Sequence, residues 1–354
     1  MINIGSGIMK KSKILIFILI LVVTIMSFGC SKDQKEIKDE KIKIGFLLDT
    51  LEEERWQKDR DIFVAEAQKR GAEVLVQVAN GDDYLQFQQA KKLINENVDV
   101  LVVVPHDKDY SKKIVDLAHS EGIKVIAYDR LINGDVDYYI SFDNEMIGKL
   151  QGKYLTENLN VKKGNIVYLG GDVNDNNAKL LKKGFFSVID NFEEIEIISQ
   201  DYIEEWRPSI ASKKLQKVVD EKKEIDAIVC ANDGLATGAF SIISQNNLDA
   251  YLLGQDADLV ACQRIVEEKQ EITVFKDITK LGTMAVDLAI KVAKKQDIQN
   301  VSLMTNGEYI TRSILLKPVV VNKDNMVDVI IKSGYHRFED IYRYIPEKNR
   351  PNIE

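Results

Sequence analysis

Arg55 and Trp56 stand side by side at the head of a helical pattern, just after the apolar run Ile42 to Leu48 and its short loop. An aromatic face beside a guanidinium suits a polyol ligand. The ring covers the C–H face of the sugar while the cation bonds its hydroxyls, which both donate and accept. The plain alternative is a Trp half-buried where a helix meets a sheet, with a solvated Arg beside it. Other apolar runs also end in polar residues: Asp129-Arg130 after Ile123–Tyr128, Asn232 after Ile225–Cys230, and Asp256 after Tyr251–Leu253. A second Trp, Trp206, stands before Pro208 at another helix start.

These residues need a frame that brings the ends of distant strands together. From Lys41 onward, strand-like runs alternate with helical ones, the mark of parallel βαβ units. Val98 to Pro105 is a continuous apolar strand, as expected in a sheet covered on both faces. The pattern restarts near Met146. Asp99 to Arg130 and Asp226 to Asp256 read as one unit written twice: strand, polar loop, helix, strand, Asp. Ligands of open α/β sheets bind outside the carboxyl ends of the strands. Two such sheets with those edges facing would let Asp129 and Asp256 meet a ligand from opposite lobes.

The chain has 354 residues and a net charge of −8, enough for two domains after a leader, with no long basic run to meet nucleic acid. Cys30, Cys230 and Cys262 have neither disulfide-framework nor zinc spacing, and the latter two read as core residues. Asp172 to Asn176 begins like a calcium loop, but Asn177 and Lys183 stand where Gly and Glu are needed, so no metal and no cofactor are expected. Asp143-Asn144 reads as a helix cap beside the site. Lys10 to Lys13 followed by an apolar run to Phe28 forms a leader. Gly29-Cys30 resembles a lipoprotein cleavage box, with Cys30 the lipid attachment point; a retained membrane anchor is the alternative. Residues 31–40 form a charged tether. Either leader places the folded part outside the cytoplasm, held to the membrane.

Five stretches carry a resemblance to a known family. They are Glu54 to Val64, Ala127 to Arg130, Tyr139 to Asn144, Asp175 to Lys179 and Gly254 to Asp258. Together they resemble the bacterial D-xylose-binding proteins, periplasmic-binding-protein-like receptors of the pentose and hexose type, in one register from about Lys41 to about Tyr335. The resemblance implies an α/β fold of two doubly wound parallel-sheet lobes joined by three crossovers. It assigns 41–147 with 280–308 to the first lobe and 148–279 with 309–334 to the second, leaving 335–354 as an extension. It implies sugar contacts at Arg55, Trp56, Asp129 and Arg130 in the first lobe, and at Asn177, Trp206, Asn232, Asp256 and Lys276 in the second lobe and hinge. Three positions depart from the family pattern: Glu205 precedes Trp206 where Gly is usual, Arg207 follows it where Leu is usual, and Asp277 follows Lys276 where Pro is usual.

The expected function is a non-enzymatic D-xylose receptor that presents its sugar to an ABC permease. A membrane-tethered sensor reporting to a histidine kinase is the second reading. Beyond Tyr335, the residues Phe338, Ile341, Tyr342 and Ile345 would share one face of a short helix; the alternative is a tail laid against the lobes or disordered.

Overall fold

The computed structural model describes residues 41–352; the leader, Cys30 and the tether lie outside the described residues. The chain opens with β1 (Lys43–Leu48), α1 (Glu54–Lys69), β2 (Glu73–Val78), α2 (Asp83–Asn95), β3 (Val100–Val103), α3 (Lys112–Ser120), β4 (Lys124–Tyr128) and β5 (Tyr138–Phe142). It then crosses into α4 (Asn144–Lys153), β6 (Lys163–Gly170), α5 (Asn176–Ile189), β7 (Glu194–Tyr202), α6 (Pro208–Asp220), β8 (Ala227–Cys230), α7 (Asp233–Asn246), β9 (Tyr251–Gln255), α8 (Leu259–Val266) and β10 (Ile272–Phe275). A second crossing gives α9 (Ile278–Ala293), β11 (Ser302–Asn306) and β12 (Tyr309–Leu316), and a third gives β13 (Val319–Val321) and the short α10 (Phe338–Ile341).

The strands form two sheets, ordered β11-β12-β5-β4-β3-β1-β2 and β13-β10-β9-β8-β6-β7. Pairing is parallel except at β11–β12 and β10–β13. Each sheet has the doubly wound order in which the second strand in sequence lies at one edge and the first lies inside it. The central strands β3 and β8 are buried throughout, because helices cover both faces. Their Val, Leu and Ile side chains each contribute about 1.5–3 kcal/mol by leaving water.

One boundary differs from the expectation. Residues 309–316 form β12, which pairs with β5 in the first sheet, so the third crossing falls after Leu316 and the second lobe regains the chain only at β13. The inner face of β12 is polar: Thr311 and Ser313 are buried while Ile310 is 70% exposed. That inverts the usual signature of a core strand.

The extension is packed rather than loose. Ile341 and Tyr342 are buried with Cys262, Ile265 and Met326, and Phe338 and Ile345 lie against the same cluster. Among the described residues, no helix is long and apolar enough to cross a membrane. The fold brings the carboxyl ends of β4, β8, β9 and β10 to one cleft, with the first turns of α1 and α5 on its walls.

Candidate functional site

The site begins with the first turn of α1. Arg55 and Asp59 are one turn apart on the buried face of that helix, so Arg55 Nε and Nη2 reach Asp59 Oδ2 at 3.2 and 3.0 Å. Arg55 Nη2 also donates to Asp129 Oδ2 at 2.7 Å, and the Tyr128 hydroxyl donates to Asp59. Trp56 serves as a platform for both cations: the Arg55 and Arg130 guanidinium carbons lie 4.3 and 5.2 Å from its ring centroid.

Asp129 follows β4 with φ of 60°, and Asp256 follows β9 with φ of 100°. Both turns swing a carboxylate off the strand end and into the cleft. Asp256 Oδ1 lies 2.8 Å from Lys276 Nζ and 3.7 Å from Arg55 Nη1, in ion pairs that lack hydrogen-bond geometry. Asn177, in the first turn of α5, donates through Nδ2 to the Asp129 carbonyl and to its Oδ1 at 3.2 and 3.1 Å. Asn144 holds Asn177 in turn, donating to its Oδ1 at 2.9 Å, while Asp143 caps α4 through the Met146 amide. Arg130 spans the cleft, bonding Asp49 Oδ2 at 2.6 Å and pairing with Asp175 Oδ2 at 3.1 Å. These contacts join first-lobe to second-lobe residues, so the cleft is closed.

Trp206 ends a single 3-10 turn, Glu204–Trp206, in which Glu205 and Trp206 both take positive φ, 51° and 55°. Glycine is the residue suited to the first of these positions, which gives the departure at Glu205 a physical meaning. Asp172 supports the turn by accepting the Glu205 amide at 2.7 Å. Gly171 makes room for the indole, since a Cβ there would fall 2.1 Å from Trp206 Cη2. Asn232 caps α7 by accepting the Leu235 amide at 2.8 Å. The departure after Lys276, Asp277, caps α9 by accepting the Lys280 amide at 3.1 Å, and its φ of −67° is the angle proline would impose.

All nine residues expected at the site line one narrow cavity of about 30 Å³, which adjoins a wider mouth of about 400 Å³ reached past Glu53, Arg130, Asp175 and Trp206. Three further residues line the cavity: Glu53, Asp175 and Gln255. Asp175 and Gln255 stand inside motifs already singled out. Glu53 had no signal beyond its place beside Glu54. Four buried polar atoms on this wall make no hydrogen bond among the described residues: Glu53 Oε2, Gln255 Oε1, Trp206 Nε1 and Asp256 Oδ1, the last held only by its ion pairs. Eleven such atoms occur among the described residues, and four of them gather around this one cavity, where a polar ligand can meet them.

The field is mixed. Burial raises the Asp129 carboxyl, but Arg55, Lys276 and Arg130 outweigh it and hold that carboxyl below its usual range. Burial pushes Asp175 and Glu53 up despite Arg130. It pushes Asp59 up to about 6 against the pull of Arg55 and Tyr128. Behind the cavity, burial lifts Asp233 to about 7. Asp233 accepts bonds from Gln270, Thr273 and the Asp258 amide at 2.9, 2.7 and 3.1 Å, bracing the loop that carries Asp256. Gly254 allows this, because a Cβ there would sit 2.1 Å from Asp233 Oδ1. Cys230 and Cys262 are free, buried and raised by desolvation, as core thiols are.

Residues 44–297 match the periplasmic binding protein domain family. The chain belongs to that family. A D-xylose-binding periplasmic protein of Haemophilus influenzae is 41% identical over 336 residues, spanning 92% of this chain and 98% of that protein. Its counterpart in Escherichia coli K12 is 40% identical over 309 residues, spanning 85% and 93%. The resemblance read from the five motifs is thereby borne out. Among solved structures, an ABC transporter solute binding protein from Clostridium phytofermentans with bound β-D-glucose superposes with a TM-score of 0.79 at 27% identity, covering 84% of this chain and 99% of that one. In this periplasmic binding protein domain, as the two-sheet topology requires, the cavity lies between the lobes at the strand ends.

Proposed function

We propose that the protein is an extracytoplasmic receptor that closes its lobes on D-xylose and presents the sugar to an ABC importer. The observation that carries this reading is the set of four buried atoms without a hydrogen bond on one interlobe cavity, three acceptors and one donor. A polyol meets such a set because each hydroxyl both donates and accepts. Trp56 and Trp206 cover the apolar C–H faces, while Arg55, Arg130, Asn177, Asn232, Asp129, Asp256 and Lys276 address the oxygens. A misplaced hydroxyl leaves a buried charge unpaired, which gives discrimination between epimers.

The relatives that bear the name D-xylose-binding periplasmic protein support a pentose as ligand. A structural neighbour described as an ABC transporter solute binding protein supports import. The kinase-coupled sensor drew its support from the leader, which lies outside the described residues, and from the C-terminal extension, which packs onto the second lobe and gives no sign of a kinase contact. The carboxylates support capture rather than turnover: Asp129 pairs with Arg55, Asp175 with Arg130 and Asp256 with Lys276, which leaves none of the three free to activate water.

Titration calorimetry tests the reading. D-xylose is expected to bind at about micromolar Kd, near −8 kcal/mol, and Asp256→Ala to weaken it by about a hundredfold or more. A wild-type chain that ignores D-xylose but saturates with a hexose would overturn the ligand. Undiminished affinity in Asp256→Ala would overturn the site.

A further inference from the structure

The segment after residue 334 is peripheral to both wound sheets, yet its first two residues touch both lobes. Toward the second lobe, the Tyr335 hydroxyl donates to the Asp256 carbonyl at 3.3 Å, and His336 Nε2 donates to the Ala257 carbonyl at 2.7 Å. That bond fixes the proton on Nε2 and leaves Nδ1 a free lone pair. Toward the first lobe, Lys58 Nζ lies 3.3 Å from His336 Nδ1 and 3.3 Å from the Tyr335 carbonyl, both acceptors for an ammonium. The same ammonium sits 4.0 Å from the centroid of the Tyr335 ring and 2.8 Å from Glu54 Oε1. Glu54 Oε2 in turn accepts the Leu259 amide of the second lobe at 3.4 Å.

The grip has a firm base. The Tyr335 ring lies 4.8 Å from that of Phe275, the last residue before the hinge Lys276, and Gln263 Nε2 donates to the Asp340 carbonyl at 2.8 Å. The carbonyls it holds belong to residues in a conformation that side chains disfavour: φ is 100° at Asp256 and 56° at Ala257. Lys58 follows Arg55 by three residues on α1. One helix therefore carries both a cation of the cavity and the cation of this outer contact.

We propose that the C-terminal segment is a clasp, in which Lys58, Tyr335 and His336 are positioning residues that hold Asp256 in its strained turn and keep the lobes closed. None of the three lines the cavity. Only the ligand arm of the test rests on the receptor reading; the geometric arm stands without it.

Spin labels on cysteines replacing the exposed Lys91 and Lys217, one on each lobe, report the interlobe distance of the full chain without ligand. Lys58→Ala and His336→Ala are expected to shift that distance to longer values. His336→Gln, whose amide keeps a donor for the Ala257 carbonyl, is expected to stay near wild type. With D-xylose as probe, stopped-flow release is expected to be about tenfold faster in both alanine variants, with capture changed by less than about twofold. An unchanged ligand-free distance in both alanine variants overturns the clasp, whatever their melting temperatures do. A wild-type chain that does not bind D-xylose overturns the receptor reading instead, and the label distances still decide the clasp.

Discussion

Asp129, Trp206 and Asp256 all hold positive φ, at 60°, 55° and 100°, and all three line the cavity. Strain of that kind costs about 1–3 kcal/mol each and survives where the surroundings fix it. Glu205, with φ of 51°, carries the same cost without facing the cavity. Glu205→Gly is therefore expected to raise stability by about 1 kcal/mol in chemical denaturation, because glycine accepts that angle freely. The Trp206 signal was legible in the sequence because two Trp in a sugar-binding register are conspicuous. The left-handed turn beneath it was not, because nothing about Glu205 announces it. Asp59 was equally hidden: it is one acid in a charged helix until the fold buries it under Arg55 and Tyr128. Its folded carboxyl titrates at about 6 against an ordinary 3.8, so its contribution to stability is complete below about 3.8 and is lost as pH rises through 6. That loss amounts to about 3 kcal/mol at 1.36 kcal/mol per pH unit. Denaturant midpoints measured between about pH 4 and 7 are expected to fall as pH rises, and Asp59→Asn to flatten the part of that slope below about pH 6.

At the scale of elements, the two halves repeat one design. Asp99 accepts the Lys43 amide through Oδ2 at 2.7 Å, and Asp226 accepts the Asn165 amide through Oδ2 at 2.7 Å, tying the starts of β3 and β8 to the first strand of each sheet. Asp129 donates its amide to Ile140 at 2.8 Å, and Asp256 donates its amide to Val274 at 3.0 Å. The matching order of strand, helix, strand and Asp was legible because hydropathy and turn residues write it plainly. The end of the first lobe was not, because β12 buries Thr311 and Ser313 and exposes Ile310. The short apolar run Ile314–Leu316 gave no sign of which sheet it would join. The hinge tolerates its departure from the family pattern because Asp277 substitutes a side-chain cap for a fixed ring. Asp277→Ala is expected to lower stability by about 1 kcal/mol, measured by thermal or urea unfolding, through loss of the cap on α9.

At the scale of the molecule, closure brings together charges that neither lobe could bury alone. Arg55 faces Asp129 of its own lobe and Asp256 of the other, and Arg130 faces Asp49 and Asp175 in the same way. In the proposed receptor, each cross-cleft pair would be desolvated as the lobes meet, and a ligand filling the remaining polar gaps would favour that closed state. The central claim is that D-xylose occupies that gap. A crystal structure of the chain grown with D-xylose tests it most directly. The account predicts one sugar in the interlobe cavity, its ring against Trp56 and Trp206 and its hydroxyls on Asp256, Lys276, Asn232 and the neighbouring polar groups, Glu53 and Gln255 among them. Ordered xylose elsewhere on the protein, with the cavity empty, would contradict it.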